Sequence, residues 1–355
     1  MPDPVITRAI DALAQGRSLS ADEAAGVLEV IMAGDASEVQ IAGFLIALRA
    51  KGETEDELAG LARTMRALAK HVDCGRDDLL DTAGTGGGRP TFNVSTTAAI
   101  IAAGAGCAVA KHGNRSATGL SGSADVLEAL GARIDLGPRQ VAECIRGAGF
   151  GFMFAPAHHQ ATRFVVPVRK ELAVRTIFNF LGPLTNPAGA RRQLIGVSDA
   201  GMLEVIAGAL ARLGVDRALV VSSEDGLDEM STSAATRVFE VQGDEIRAYT
   251  VQPGDVGLPT SPPEAVAGGT PEQNAATTRA ILAGEPGPER ELALINAGAA
   301  IYAGGRAGSI AEGVQVGAQA VDAGAAARAL DNYVALSREL APTGHHARAG
   351  GPAPT

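Results

Sequence analysis

The first 72 residues carry a helical pattern, in which apolar residues recur every three or four positions. Three capping boxes, in which Ser or Thr precedes Glu or Gln by three residues, predict helix starts after Ser20, Ser37 and Thr54. An apolar run across residues 5–13 adds a further helix. The pattern predicts a four-helix unit, which we interpret as a packing domain or an oligomer surface rather than a catalytic unit.

From residue 73 onward, short apolar runs alternate with helical stretches. The apolar runs cover residues 79–82, 107–110, 151–154, 193–197 and 218–222. The helical stretches between them cover residues 95–104, 123–130, 138–147 and 202–213. Because strand–helix alternation is typical of α/β domains, the sequence predicts a largely parallel central sheet.

The C-terminal part departs from this alternation. A hairpin is predicted over residues 237–251, followed by a long Pro- and Gly-rich surface loop over 252–274. Three Ala-rich helices are predicted over residues 273–283, 290–303 and 309–340. Residues 342–355 are rich in Gly, Pro and Ala, and this composition predicts a disordered tail.

Composition and charge narrow the classes of protein that remain. A length of 355 residues is typical of two domains, and 46% apolar with 20% charged residues is typical of globular proteins. The net charge of −10 disfavours nucleic acid as a partner. The three cysteines are spaced for neither a disulfide framework nor a zinc site, and no run is apolar enough to span a membrane. These features predict a cytoplasmic protein without a membrane partner.

A Gly-rich segment directly after the first predicted strand is the first candidate for chemistry. It runs Asp81-Thr-Ala-Gly-Thr-Gly-Gly-Gly-Arg-Pro-Thr-Phe-Asn-Val-Ser-Thr96 and ends where a helix is predicted to begin. Glycines let the backbone approach an anion, and the amides of a helix N-terminus favour negative charge. The spacing matches neither the dinucleotide fingerprint nor the P-loop. The segment indicates a phosphate or pyrophosphate site, with a purely structural turn as the alternative.

A second polar cluster ends the next predicted strand. It reads Lys111-His-Gly-Asn-Arg-Ser116, and Ser121-Gly-Ser-Ala-Asp125 opens the following helix. Ligands of open α/β sheets bind beyond the C-terminal ends of strands, so both clusters are expected to face one crevice. A buried group of such residues is costly without a charged ligand. His112 taken alone is equally typical of a packed core histidine.

Several long motifs together resemble those of one family. Besides the run from Gly84 to Asp125, they are Phe154-Ala-Pro, Val168-Arg-Lys, Arg175-Thr-Ile-Phe-Asn-Phe-Leu-Gly-Pro-Leu-Thr-Asn-Pro187 and Gly226-Leu-Asp-Glu-Met-Ser231. In this order the motifs are similar to those of anthranilate phosphoribosyltransferases, over residues 5–340. The resemblance implies a nucleoside phosphorylase/phosphoribosyltransferase-like fold, with a smaller all-α domain beside the α/β domain.

The resemblance implies transfer of the 5-phosphoribosyl group of phosphoribosyl pyrophosphate (PRPP) to the amino group of anthranilate, in tryptophan biosynthesis. The implied PRPP contacts are Gly84, Thr85, Gly86, Gly87, Asn93, Ser95, Thr96, Lys111 and Ser123. The implied anthranilate contacts are Gly84, Asn114 and Arg169, and the implied Mg²⁺ ligands are Ser95, Asp228 and Glu229. His112 is a candidate for late removal of the amine proton. We expect no covalent intermediate, because a neutral arylamine held in line is already a nucleophile.

Two of these assignments compete with ordinary surface chemistry. Arg169 lies in Val-Arg-Lys-Glu, which without the resemblance predicts a solvated helix face. Asp228 and Glu229 lie in Glu-Asp-Gly-Leu-Asp-Glu, which is typical of an acidic surface turn. Mg²⁺ often binds through one or two carboxylates together with substrate phosphate oxygens, and the pair suits that role.

The resemblance also implies a domain organisation. Residues 1–72, with a returning segment at about 163–187, would form the helical domain, and residues 73–162 and 188–341 the α/β domain. Because the returning segment contains Arg169, the acceptor pocket is expected between the domains. A homodimer through the N-terminal helices is implied as well.

The chain departs from the family pattern in the Gly-rich loop. Gly88-Arg89-Pro90 stands where the family usually has an Asp, and the loop is one residue shorter. Arg89 would exchange a repulsive carboxylate for an attractive guanidinium, so we expect it to contact PRPP. Leu120 replaces a common lysine, and Gln160 replaces the proline of a usual His-Pro pair.

Two other functions stay open on the sequence alone. The same fold family includes pyrimidine nucleoside phosphorylases, although their lysine motif continues into Ser-Thr-Gly-Gly rather than Gly-Asn-Arg-Ser. The anthranilate phosphoribosyltransferase family also has non-catalytic relatives that bind nucleic acid, and the net charge of −10 disfavours that function here.

Overall fold

Four helices form the N-terminal part of the chain in the computed structural model, which describes residues 2–116 and 119–341. They are α1 (Pro4–Ala14), α2 (Ala21–Ala33), α3 (Glu38–Lys51) and α4 (Glu55–Leu68). The hydroxyls of Ser20, Ser37 and Thr54 each accept the amide three residues later, and a Glu or Gln side chain accepts the cap amide in return. The three predicted capping boxes are therefore confirmed.

One seven-stranded sheet forms the centre of the remaining chain. Its strands are β1 (Leu79–Gly84), β2 (Ala108–Gly113), β3 (Phe150–Phe154), β4 (Arg192–Gly196), β5 (Arg217–Ser223), β6 (Thr236–Gln242) and β7 (Glu245–Val251). Their order is β3-β2-β1-β4-β5-β6-β7. The first five strands pair in parallel, and β6 and β7 form the antiparallel hairpin. The predicted α/β class and largely parallel sheet are confirmed.

Helices flank this sheet and continue to the end of the described chain. They are α5 (Val94–Gly104), α6 (Ser123–Ala129), α7 (Pro138–Ala148), α8 (Ala155–His158), α9 (Val166–Leu172), α10 (Phe178–Leu184), α11 (Leu203–Arg212), α12 (Pro271–Leu282), α13 (Pro288–Ala303), α14 (Ile310–Asp322) and α15 (Ala325–Leu340). Short 3₁₀ turns cover Gln160–Phe164, Ala200–Met202, Pro253–Val256 and Pro263–Val266. No helix in the described ranges is both long and apolar enough to cross a membrane.

The single helix expected over residues 309–340 is wrong. The chain forms α14 and α15 instead, because Gly324 takes a left-handed conformation with φ of +68° and ends the helical run. The expected loop over 252–274 contains two 3₁₀ turns, and α12 already begins at Pro271. The predicted disordered tail lies outside the described residues.

Two apolar clusters form the core on opposite faces of the sheet. Alternate residues of β5 contribute to each: Leu219 and Val221 to the first, Ala218 and Val220 to the second. The first cluster also contains apolar residues of α5–α7 and α12–α15. The second contains residues of α1–α4 and α11 together with residues of α9 and α10. The segment that carries α9 and α10 therefore packs into the same core as the N-terminal helices.

Candidate active site

The crevice begins where β1 and β2 separate. The two strands pair only over their first two residues, and beyond them the buried Asp81 carboxylate accepts the His112 amide at 3.1 Å. The Asn186 side-chain amide donates to Asp81 at 2.7 Å. Burial raises the pKa of Asp81 to about 6, although the nearby Lys111 opposes the shift. Asp81 and Asn186 were not among the predicted site residues. The sequence signal that could have identified Asp81 is a charged residue inside an apolar strand.

Lys111 is buried at the end of β2 and uses all three of its donors within the protein. Its Nζ donates to the Thr82 carbonyl at 2.5 Å, the Thr82 hydroxyl at 3.1 Å and Ser95 Oγ at 3.3 Å. Burial lowers the pKa of Lys111, and the carboxylates of Asp81 and Glu229 oppose this. Lys111 and Ser95, predicted from separate motifs, therefore lie together.

The Gly-rich loop, residues 84–90, lies directly on the acidic turn, residues 224–229. Gly86 and Gly87 have φ of +68° and +82°, which side chains rarely adopt. A Cβ on Gly88 would lie 2.4 Å from Asp228 Oδ1, and one on Gly196 would lie 1.8 Å from the Asp228 carbonyl oxygen. Asp228 therefore lies so close to both Gly88 and Gly196 that glycine is required at each position. No sequence motif indicated this requirement at Gly196.

Two of the four carboxylates of the acidic turn, those of Asp228 and Glu229, are partly buried beside the end of β1. Burial raises the pKa of Asp228, and a Cβ on Gly84 would lie 3.4 Å from its Oδ2. Burial and the adjacent Asp228 raise the pKa of Glu229, whereas the Ser95 amide, which donates to Glu229, lowers it. Carboxylate and hydroxyl oxygens are ligands that Mg²⁺ prefers, so Ser95, Asp228 and Glu229 fit such an ion. Within the described residues, no group of three or more His, Cys, Asp or Glu side chains forms a metal cluster.

The start of α5 supplies two more of the predicted PRPP contacts. The Asn93 side chain donates to the Ser121 carbonyl at 3.1 Å and accepts from the Ser121 hydroxyl and the Asn274 amide, both at 2.9 Å. Thr96 Oγ1 is buried and has no hydrogen-bond partner among the described residues. Asn93 therefore joins the Gly-rich side of the crevice to the residues that precede α6.

Asn114 directly follows β2, and Ser123 lies close to the end of that strand. Ser123 begins α6, and a Cβ on Gly113 would lie 3.1 Å from its Cβ. Asn114 is exposed, and its side-chain oxygen accepts the Arg115 amide at 2.7 Å. In the described ranges, no hydrogen bond joins the Asn114 side chain to the Gly-rich loop.

His112 is a buried, neutral imidazole. Its Nδ1 lies 3.2 Å from the Gly182 carbonyl oxygen, so Nδ1 carries the proton. Its Nε2 has no partner among the described residues. Burial lowers the pKa of His112 to about 3, and His159, whose ring centroid is 5.1 Å away, adds to the shift. His112 can therefore accept a proton at Nε2 only from a strongly acidic donor.

Arg169 on α9 is half-buried, unlike the solvated helix face expected from its local sequence alone. Its Nη2 donates to Asn179 Oδ1 at 3.2 Å, and its guanidinium lies 5.7 Å from the Phe178 ring centroid. Its Nε is buried without a partner in the described part of the chain, and burial lowers its pKa. A guanidinium with a free buried donor is suited to a carboxylate.

Arg175 and Ser198 connect this helical segment to the Gly-rich loop, and neither was predicted as a site residue. Arg175 donates to the Gly87 carbonyl at 3.1 Å and to Ser198 Oγ at 3.0 Å. Ser198 donates its hydroxyl to the Gly86 carbonyl at 2.8 Å and its amide to Thr85 Oγ1 at 3.2 Å. The backbone carbonyls of Gly86 and Gly87 and the hydroxyl of Thr85 are therefore held from one side.

The Arg89 side chain contacts the acidic turn and the segment that contains Pro263. Its guanidinium forms an ion pair with Asp225 at 3.1 Å and donates to the Pro263 carbonyl at 2.7 Å. Its Nε is buried without a partner in the described part of the chain, so the expectation that Arg89 contacts PRPP directly stays a prediction.

Two family models match the chain. The model described as "Glycosyl transferase family, helical bundle domain" matches residues 7–69, and "Glycosyl transferase family, a/b domain" matches residues 76–327. The anthranilate phosphoribosyltransferase of Symbiobacterium thermophilum is 51% identical over 329 residues, covering 92% of this chain and 96% of that protein.

Solved structures agree with this similarity. The anthranilate phosphoribosyltransferase of Thermus thermophilus superposes with a TM-score of 0.89 at 46% identity, covering 93% of this chain and 99% of that one. The Saccharomyces cerevisiae enzyme in complex with PRPP and Mg has a TM-score of 0.87 at 26% identity, covering 95% and 99%. The similarity therefore extends over both the helical and the α/β parts.

Proposed function

This chain belongs to the anthranilate phosphoribosyltransferase family, and from that premise we propose that the crevice between β1, β2 and the acidic turn is its active site. The enzyme transfers the 5-phosphoribosyl group of PRPP to the amino group of anthranilate, giving N-(5-phosphoribosyl)anthranilate and pyrophosphate, in tryptophan biosynthesis. One observation carries the assignment of the site: Lys111, Ser95 and Glu229 meet beside the Gly-rich loop.

PRPP binds along the Gly-rich loop and the start of α5. The backbone amides of Gly84, Thr85, Gly86 and Gly87 and the side chains of Asn93, Ser95, Thr96 and Ser123 hold its phosphates. The Lys111 ammonium joins them by exchanging one of its present acceptors on Thr82 or Ser95 for a phosphate oxygen. The unpartnered buried hydroxyl of Thr96 supports this role, since a buried polar group is costly unless a ligand satisfies it. The N-terminus of α5 adds a favourable field for the diphosphate.

Mg²⁺ would be held by Ser95, Asp228 and Glu229. When bound, the ion neutralises charge that develops on the departing pyrophosphate. The yeast relative solved with PRPP and Mg supports this proposal.

Anthranilate binds between the end of β2 and the segment that carries α9. Arg169 binds its carboxylate, because a planar guanidinium with a free donor matches two carboxylate oxygens. Asn114 and the Gly84 backbone contact the rest of the acceptor. The arrangement lets the amine approach the sugar from the side opposite the diphosphate.

The chemistry is a displacement at the anomeric carbon. The amine nitrogen forms a bond to that carbon, and the carbon–oxygen bond to pyrophosphate breaks, with its electron pair leaving on oxygen. Lys111 opposes the charge on the leaving group. The new arylammonium is strongly acidic, so the neutral His112 Nε2 suffices as its proton acceptor despite a pKa of about 3. No covalent enzyme intermediate forms.

The division into domains and the oligomeric state belong to the same proposal. Residues 1–72 with the segment 163–187 form one domain, and residues 73–162 and 188–341 the other. The core that α9 and α10 share with the N-terminal helices supports assigning the segment 163–187 to the first domain, and α11 of the second domain packs on the same core. The protein is a homodimer through its N-terminal helices, which is supported by the 81% exposed Val39 and the 39% exposed Ile46 on α3. Light scattering would report the molecular mass.

A fluorescence assay tests the function. Purified protein with PRPP and Mg²⁺ should consume anthranilate, and EDTA should stop the loss of anthranilate fluorescence. Glu229→Gln should lower the rate at least ~100-fold, whereas Glu224→Gln, an exposed acid of the same turn, should not. Phosphorolysis of a pyrimidine nucleoside without turnover of anthranilate would overturn the proposal.

A further inference from the structure

We propose that Arg89 is a positioning residue that fixes the Gly-rich loop against the acidic turn through its ion pair with Asp225. The inference rests on the proposed function, because it assigns Arg89 a role in presenting the diphosphate loop to the carboxylates of that turn. Arg89 itself would touch neither PRPP nor the metal.

Three contacts hold Arg89 on the far side of the loop. Its amide donates to the Gly226 carbonyl at 2.9 Å, its Nη1 to the Pro263 carbonyl at 2.7 Å, and its Nη2 to Asp225 Oδ2 at 3.1 Å. The side chains of Arg89 and Asp225 are only 23% and 12% exposed. A charge pair that is largely withdrawn from water is screened less than a surface pair, so the attraction between Arg89 and Asp225 is stronger than that of an exposed pair.

Asp225 in turn organises the acidic turn. Its Oδ1 accepts the Ser223 hydroxyl at 2.7 Å and the Leu227 amide at 3.2 Å, and its Oδ2 accepts the Ser231 hydroxyl at 2.9 Å. Although burial raises the pKa of Asp225, the hydroxyls of Ser223 and Ser231 hold it below its ordinary value. Asp225 is therefore an ionised hub that receives donors from both flanks of the turn and from the loop.

The loop residue next to Arg89 shows why this anchor matters for the site. A Cβ on Gly88 would lie 2.4 Å from Asp228 Oδ1 and 2.7 Å from the Asp228 amide nitrogen. The Gly-rich loop therefore touches the acidic turn at Asp228, through Gly88, which directly precedes Arg89. Since Asp228 and Glu229 follow Asp225 within four residues, loosening the ion pair changes the spacing between the diphosphate loop and both carboxylates.

The rival interpretation is that Arg89 leaves Asp225 and binds PRPP directly. Both interpretations expect Arg89→Met to raise the KM for PRPP, so that variant alone decides nothing. Asp225→Asn separates them. A positioning role expects it to raise the KM for PRPP about tenfold, as Arg89→Met does, because either change breaks the anchor. A direct ligand would be freed by the same change, and the KM would stay constant or fall.

The experiment measures steady-state kinetics for the wild type, Arg89→Met, Asp225→Asn and the double variant over a range of Mg²⁺ concentrations. We expect each single variant to raise the KM for PRPP and the Mg²⁺ concentration at half-maximal rate about tenfold. The KM for anthranilate should change less than twofold, and the double variant should resemble the singles because one shared interaction is lost. Arg89→Lys should recover part of the effect, since an ammonium keeps the charge but cannot reach both acceptors.

Two controls keep the outcome interpretable. Arg290→Met breaks the ion pair that the largely buried Arg290 forms with the exposed Asp322, between α13 and α14, and it should leave all kinetic constants unchanged. Calorimetric titration of PRPP in the presence of Mg²⁺ provides a readout that does not depend on turnover. A wild type without transferase activity would refute the proposed function. An active wild type with unchanged Asp225→Asn kinetics and PRPP binding would refute the positioning role.

Discussion

The contact between Gly196 and the acidic turn permits a sharp test of how closely the site is fitted. Gly196 ends β4, and a Cβ at this position would lie 1.8 Å from the carbonyl oxygen and 2.8 Å from the carbonyl carbon of Asp228. Ordinary van der Waals contact begins at 3.4 Å. Because the obstructing atoms are backbone, no change of side-chain rotamer relieves the clash in Gly196→Ala.

The required displacement sets the size of the effect. The oxygen is about 1.6 Å too close, so the turn that carries Asp228 and Glu229 must move by more than 1 Å. A misplacement of about 1 Å in a catalytic arrangement costs on the order of 100-fold in rate. We therefore expect kcat/KM for PRPP to fall at least ~100-fold, together with a higher Mg²⁺ concentration at half-maximal rate.

The assay is the loss of anthranilate fluorescence at several Mg²⁺ concentrations, alongside thermal unfolding. Gly26→Ala is the matched control, because Gly26 lies within α2 and a Cβ there would meet no atom within 4 Å. That control should keep full activity and gain about 1 kcal/mol of stability from higher helix propensity. A folded Gly196→Ala protein with wild-type kcat/KM would refute the argument that glycine is needed for the position of the turn.

Two further predictions concern stability. Burial lowers the pKa of His159 from 6.5 to about 4, so its contribution is present above pH 6.5 and is lost as the pH falls through 4. In urea titrations, the wild type should therefore lose unfolding free energy between pH 7 and pH 4. His159→Asn should lose about 3 kcal/mol less over the same range, and equal losses in the two proteins would contradict this prediction. Lys51 pairs with the fully buried Glu57 at 2.9 Å, so Lys51→Met should cost about 3–5 kcal/mol, whereas Arg63→Met in the exposed pair with Asp22 should cost under about 1 kcal/mol. Similar losses of stability in Lys51→Met and Arg63→Met would contradict the argument that burial raises the cost of breaking the Lys51–Glu57 pair.

Local sequence was sufficient for most of the architecture because the relevant signals act over short distances. A capping box joins residues three apart, and a strand is marked by its own apolar run, so the N-terminal helix starts and the parallel strands could be predicted. The break between α14 and α15 was harder to predict, because the Ala-rich run contains three glycines, Gly313, Gly317 and Gly324. Gly313 and Gly317 lie within α14, and of the three only Gly324 takes a positive φ and ends the helix.

The direction of long side chains could not be predicted in this way. Arg89 and Arg169 both lie in segments whose sequence is compatible with solvent exposure or with a ligand. Only the tertiary structure turns Arg89 toward Asp225, 136 residues away, and half-buries Arg169 beside Phe178. Guanidinium groups reach far from the backbone, so their partners are set by whichever distant segment lies within reach.

The same distinction explains which site residues were missed. Lys111 and Ser95 lie in short motifs whose chemistry indicates a phosphate site, whereas Asp228 and Glu229 were assigned through the resemblance to the family. The residues that hold them do so across long stretches of sequence: Asn186 reaches Asp81 from 105 residues away, and Arg175 reaches the Gly87 carbonyl from 88 residues away. Their chemistry is ordinary, and their importance lies in a contact that exists only after the sheet has formed. Motifs therefore indicate what reaction the crevice can perform, whereas the spacing on which its rate depends is set by long-range contacts that only the folded chain contains.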